Sequence, residues 1–155
     1  MNWLGESALA AVVGVVSALL PLVNAEAYAL IAAARTHAAG AVIVVLALAG
    51  GQTIGKLVLF EAARRGSGRL HARFSGRADG RAARWRERVC GLMGRRRTGL
   101  PTVLASATLG LPPLALVSLV AGASVQRRWE FGAVCLVGRS ARFAALTLPA
   151  VYALR

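Results

Sequence analysis

Five charged residues stand inside otherwise apolar sequence: Glu26, Lys56, Glu61, Arg139 and Arg142. A carboxylate in hydrocarbon is costly and usually faces a bundle interior or a water-filled cavity, which makes Glu26 a candidate proton carrier. The competing reading is structural, with the carboxylate capping a helix from within its first turn. Arg139 and Arg142 are three residues apart and so are neighbours on one helical face. Their guanidinium groups suit either bidentate binding of a phosphate or neutralisation of Glu26; the structural alternative is snorkelling or a plain ion pair. Lys56 is a further candidate counter-charge. Glu61, just before Arg64, reads as structural. Gly51 and Gly55 form a Gly-x-x-x-Gly with Gly50 beside it, and small residues let membrane helices approach closely. Packing within the chain is the expected use.

Other chemistry is missing. His37 and His71 are isolated, and no His, Cys and carboxylate group has metal-ligand spacing. Cys90 and Cys135 are far apart and form no C-x-x-C. No Ser/His/Asp set or phosphate-cradling glycine loop stands out. The expectation is a protein that is not an enzyme and that holds no metal or cofactor.

The elements that must position these residues are apolar to a degree a soluble domain does not reach. Of the 155 residues, 57% are hydrophobic and 16% charged, against ~45–50% and ~25% in soluble domains. The net charge is +13; eighteen of the nineteen basic residues are Arg, and the sole Lys is Lys56. Greasy and strongly basic together point to a membrane protein with cationic cytoplasmic surfaces. Twelve of the basic residues lie between Arg64 and Arg97, and four apolar blocks lie outside that stretch: 7–34, 38–63, 100–125 and 131–154. Each exceeds the ~18–20 residues that cross a bilayer core. Four buried helices of a soluble bundle would need a polar coat that this chain lacks. Met1 to Glu6 carries no basic residue and the first run outlasts a signal h-region, so block one is expected to be retained.

Prolines interrupt the first and third blocks near their middles, at Pro21 and at Pro112 and Pro113. Proline removes a backbone donor and clashes with the preceding turn, so both helices should break there. A single kinked span through block one's 28 residues would reach ~42 Å, long for a ~30 Å core. The alternative is a re-entrant hairpin that enters to the midplane, turns and returns; broken helices of this kind persist where protein or a cavity satisfies the freed backbone. A shift of 92 residues lays Pro21 on Pro113, Arg35 on Arg127 and Gly40-Ala41-Val42 on Gly132-Ala133-Val134. Two copies of a hairpin-plus-span unit follow, and transporters commonly use such inverted repeats. The positive-inside bias puts the Arg64–Arg97 stretch in the cytoplasm; with hairpins in blocks one and three, Arg127 and Arg128 fall on that side too, and Arg35 and Arg155 outside. The expected fold is therefore an all-α integral membrane protein in a single domain, with repeats over 7–63 and 100–154 joined by a basic cytoplasmic loop over 64–99. Its place is the inner or plasma membrane, crossed several times.

Within the loop, Arg69, Arg73, Arg77 and Arg81 recur every four residues and continue as Arg84 and Arg88. Leu70, Phe74, Trp85, Val89, Leu92 and Met93 fall at spacings that share another face. This is the pattern of an interfacial helix, with apolar groups at the acyl boundary and Arg facing phosphates, weakened by Gly66, Gly68, Gly76 and Gly80. The plainer reading is a loop that only sets topology. Arginine runs also suit nucleic acid, but the loop has no recognisable module and is tethered to membrane, so nucleic acid is not an expected partner. Anionic lipid is.

The order of these features resembles the DedA family, also described as SNARE-associated or VTT-domain membrane proteins, and especially its small single-domain branch. Leu20-Pro21 followed by Asn24-Ala25-Glu26 resembles the family's proline-containing break ending in a glutamate. Gly51 through Gly55, followed by Leu57 to Arg64, resembles its glycine-rich span ending near Gly-Arg. Leu111-Pro112 to Ala121-Gly122, then Phe131 and Gly138-Arg139-Ser140-Ala141-Arg142-Phe143, resembles its second break and last helix. Together these stretches cover most of residues 15–150. The resemblance implies two facing re-entrant hairpins, Glu26 as the first-hairpin acid, and a role in lipid movement between leaflets or proton-coupled transport. Gly122, like Gly51 and Gly55, is expected at a helix-packing position. The chain departs from the family at Lys56, where many members carry an acid, and at Ala107, Thr108 and Leu114, where many carry arginines. A membrane scaffold whose Arg-rich loop recruits lipid or a protein partner is the alternative.

Overall fold

The computed structural model describes residues 3–20, 24–35, 38–66 and 80–153. Among them are seven helices and no strand: α1 (Trp3–Leu19), α2 (Ala25–Arg35), α3 (Ala38–Arg65), α4 (Arg81–Met93), α5 (Arg96–Leu109), α6 (Leu114–Gly122) and α7 (Arg128–Ala153). The expectation of an all-helical chain is met.

Two of these helices are long and apolar enough to cross a membrane, over Ala39–Arg65 and Arg128–Pro149. Val42, Ile43, Leu46, Ile54 and Val58 of α3, and Val137 and Leu148 of α7, are exposed. In water such faces are aggregation liabilities, whereas lipid tails accept them without penalty. Hydroxyls inside the helices are satisfied locally. Thr53 donates to the Ala49 carbonyl at 2.8 Å, Ser118 to Leu114 at 2.6 Å and Thr147 to Phe143 at 2.8 Å. This i−4 back-bonding gives each of these buried hydroxyls a partner within its own helix.

Both interrupted blocks form two helices each. Pro21 lies outside the described residues, between α1 and α2. The second break is fully described. α5 ends at Gly110, whose φ of +81° is left-handed and whose N–H bonds to the Ser106 carbonyl at 3.0 Å. A side chain would be strained in this conformation, so glycine, not proline, terminates α5. Pro112 and Pro113 then prevent continuation. The Ser106 hydroxyl donates to the Pro112 carbonyl, and α6 begins at Leu114. The succession short, short, long thus occurs twice, with lengths of 17, 11 and 28 residues and then 14, 9 and 26.

The chain forms two compact units, one of residues 1–55 and 136–155 and the other of residues 56–135. In the first, Ala25, Ala29, Val45, Leu48, Ala49 and Phe143 make a buried cluster, with Val13 and Tyr28 against it. α1 and α3 approach closely here: a Cβ on Gly51 would lie 2.1 Å from the Ala11 carbonyl oxygen, and one on Gly14 2.5 Å from that of Leu48. Gly55 meets Ala18. The glycine motif therefore packs against α1 of the same chain. Beside it, Gln52 Nε2 donates to Ser17 Oγ at 2.9 Å and Ser17 to the Gly14 carbonyl at 2.9 Å.

In the second unit, Phe60, Val103, Val117, Phe131 and Cys135 are buried together, and the Phe60 and Phe131 rings stack at 5.0 Å. Gly122 lets α6 approach the backbone of α3, since a Cβ there would lie 2.1 Å from the Phe60 carbonyl oxygen. α4 starts immediately after Gly80, the last of the interrupting glycines, and its Val89 and Met93 are buried in this same cluster. They pack against protein and not at the acyl boundary of the interfacial-helix alternative, because α5 and α6 are close enough to cover them. Leu92, Arg84 and Arg88 remain exposed. Arg69, Arg73, Arg77, Leu70 and Phe74 lie outside the described residues.

Candidate functional site

Asn24 opens α2. Its Oδ1 accepts the backbone N–H of Glu26 at 3.0 Å and of Ala27 at 3.2 Å, which is the geometry of a helix N-cap. The cap is therefore supplied by Asn24 and not by the Glu26 carboxylate, which points elsewhere. Glu26 Oε1 accepts from Arg142 Nε at 2.7 Å and lies 2.6 Å from Arg142 Nη2. Two guanidinium nitrogens thus converge on one carboxylate oxygen, a charge-assisted contact stronger than a neutral hydrogen bond.

The supporting packing is immediate. Ala25, next to Glu26, and Phe143, next to Arg142, belong to the same buried cluster, so α2 and α7 are held together where the pair forms. The Glu26 side chain is 38% exposed and that of Arg142 24%. The pair lies at the edge of the cluster, within reach of a small anion or water.

Arg139 stands three residues before Arg142 on α7 and is half-buried in the same unit. Lys56 is buried, only 6% exposed, and belongs to the other unit. Glu61 pairs with Arg65 at 2.9 Å, four residues on along α3. Pro112 and Pro113 sit at the break between α5 and α6, and Gly51, Gly55 and Gly122 at helix contacts.

Sequence reasoning passed over two features. Asn24 is a readable N-cap type directly before a helix. The other is a cleft of about 380 Å³ in the second unit, lined by Glu61, Arg64, Arg127, Arg128 and Trp129. Arg127 and Arg128 figured in the sequence only as topology markers, since nothing in a linear reading links them to Arg64. The link is tertiary: Arg64 Nη1 donates to the Gln126 carbonyl at 3.3 Å, across 62 residues.

No group of three or more His, Cys, Asp or Glu among the described residues is placed to hold a metal ion. No family model matches the chain, and no curated protein or solved structure is significantly similar to it.

Proposed function

We propose that the chain is a multi-pass protein of the cell membrane that moves an anionic phospholipid between leaflets, a transporter or scramblase of the DedA kind. The observation that carries this reading is the Glu26–Arg142 pair, formed between the helix that follows the first break and an apolar helix of membrane-spanning length. A charged pair among such helices is expensive to keep, and function is the usual reason for it.

The chemistry follows from the competition at Arg142. A phosphate competes with the Glu26 carboxylate for Arg142, and Arg139, one turn away on the same helix, offers a second guanidinium to the same anion. On this reading α1–α2 and α5–α6 are the re-entrant hairpins of two inverted repeats, an arrangement that transporters commonly use.

Sealed vesicles carrying fluorescent phosphatidylglycerol test the proposal. Purified protein is expected to equilibrate the probe between leaflets well above protein-free vesicles, and Glu26→Gln to slow this by about tenfold, some 1.4 kcal/mol in the barrier. Equal rates with and without protein would reject it. The scaffold reading is favoured by a different observation, the exposed Arg84 and Arg88 on α4. It predicts vesicle binding without any lipid movement.

A further inference from the structure

We infer that the cleft lined by Glu61, Arg64, Arg127, Arg128 and Trp129 is a second anion site, built to take a phosphate group. It lies entirely within the 56–135 unit and uses none of the residues assigned to lipid movement, so it stands or falls separately.

Three guanidinium groups and one carboxylate line the cleft, and the carboxylate is already engaged. Glu61 pairs with Arg65 at 2.9 Å, and Arg65 is not a lining residue. Among the described residues no carboxylate pairs with Arg64, Arg127 or Arg128, so the cleft keeps its positive charge. Arg64 is also held in place. Its bond to the Gln126 carbonyl restrains one end of the guanidinium, whose carbon lies 5.9 Å from the centre of the Phe60 ring. Phe60 is in turn fixed by stacking on Phe131. A pre-positioned Arg loses less freedom when it takes an anion than a free surface one does.

The surroundings specify the ligand further. Arg64 is the penultimate residue of one candidate span and Arg128 the first residue of the other. Trp129 is exposed next to Arg128, and tryptophan is enriched at the headgroup level of membranes. The volume of about 380 Å³ lies within the ~300–1,000 Å³ usual for small-ligand sites. Arginine matches phosphate oxygens with two parallel N–H donors. The ligand class is therefore a phosphate ester at the membrane surface, either as a lipid headgroup or as a free phosphate.

The test uses the full chain in neutral detergent, with Trp3→Phe and Trp85→Phe leaving Trp129 as the only tryptophan. Its fluorescence is titrated at constant ionic strength with inorganic phosphate and, separately, with dihexanoyl phosphatidylglycerol below its micelle concentration. A saturable response to the lipid alone assigns a headgroup site; saturation by both assigns a site for phosphate itself. In either case Arg127→Gln with Arg128→Gln should raise the dissociation constant by about tenfold or more, as expected when charge-assisted bonds are lost. Arg127→Lys with Arg128→Lys, which keeps the charge, should weaken binding less and report an intact fold. The absence of a saturable response to either probe, or an unchanged constant in the Gln variant, would overturn the inference.

Discussion

At the scale of single residues, two side chains two positions apart divide two jobs. Asn24 caps α2 and Glu26 pairs with Arg142. Asn24→Ala should therefore destabilise the protein by about 1 kcal/mol, seen as a lower unfolding midpoint in detergent. Glu26→Gln should leave the cap intact, because the cap uses the backbone N–H of Glu26 and not its side chain. The sequence left two roles open for this carboxylate, capping and counter-ion, since a helix-start acid suits both. Only the tertiary approach of Arg142, 116 residues away, separates them. The arginine cleft was illegible for the same reason: three side chains from distant stretches acquire a shared meaning only when α3 and the start of α7 are packed.

At the scale of elements, the interruptions and the span lengths were legible, because proline and apolar run length act locally. The helix end at Gly110 was masked by its proline neighbours, which made the break obvious and its cause ambiguous. The apolar face of α4 was legible as a face but not as to its partner, because a lipid boundary and a protein core select the same residue types. Close glycine contacts give the sharpest prediction at this scale. Gly51→Ala drives a methyl into the Ala11 carbonyl and should cost about 1–3 kcal/mol through overpacking. Gly50→Ala meets nothing within 4 Å and should be neutral or stabilising by up to ~1 kcal/mol, from helix propensity alone. Thermal unfolding of the two variants side by side would check both signs.

At the scale of the whole molecule, charge asymmetry sets the expected orientation. The stretch rich in arginine faces the cytoplasm if the positive-inside bias holds. Cys90 is exposed in that stretch and Cys135 is buried, so the native protein carries its own reporter. A membrane-impermeant maleimide should leave Cys90 unlabelled in intact cells and label it once the cytoplasmic face is opened. Labelling in intact cells would reverse the orientation proposed for the chain.

Lipid movement in sealed vesicles, compared for Glu26→Gln, Arg142→Gln and the two combined, tests the central claim most directly. If the pair works as one unit, each single change slows phosphatidylglycerol transfer and the combined change slows it no further than the more severe single one. If the two losses multiply, or if neither variant differs from the native chain, Glu26 and Arg142 do not act together and the account fails.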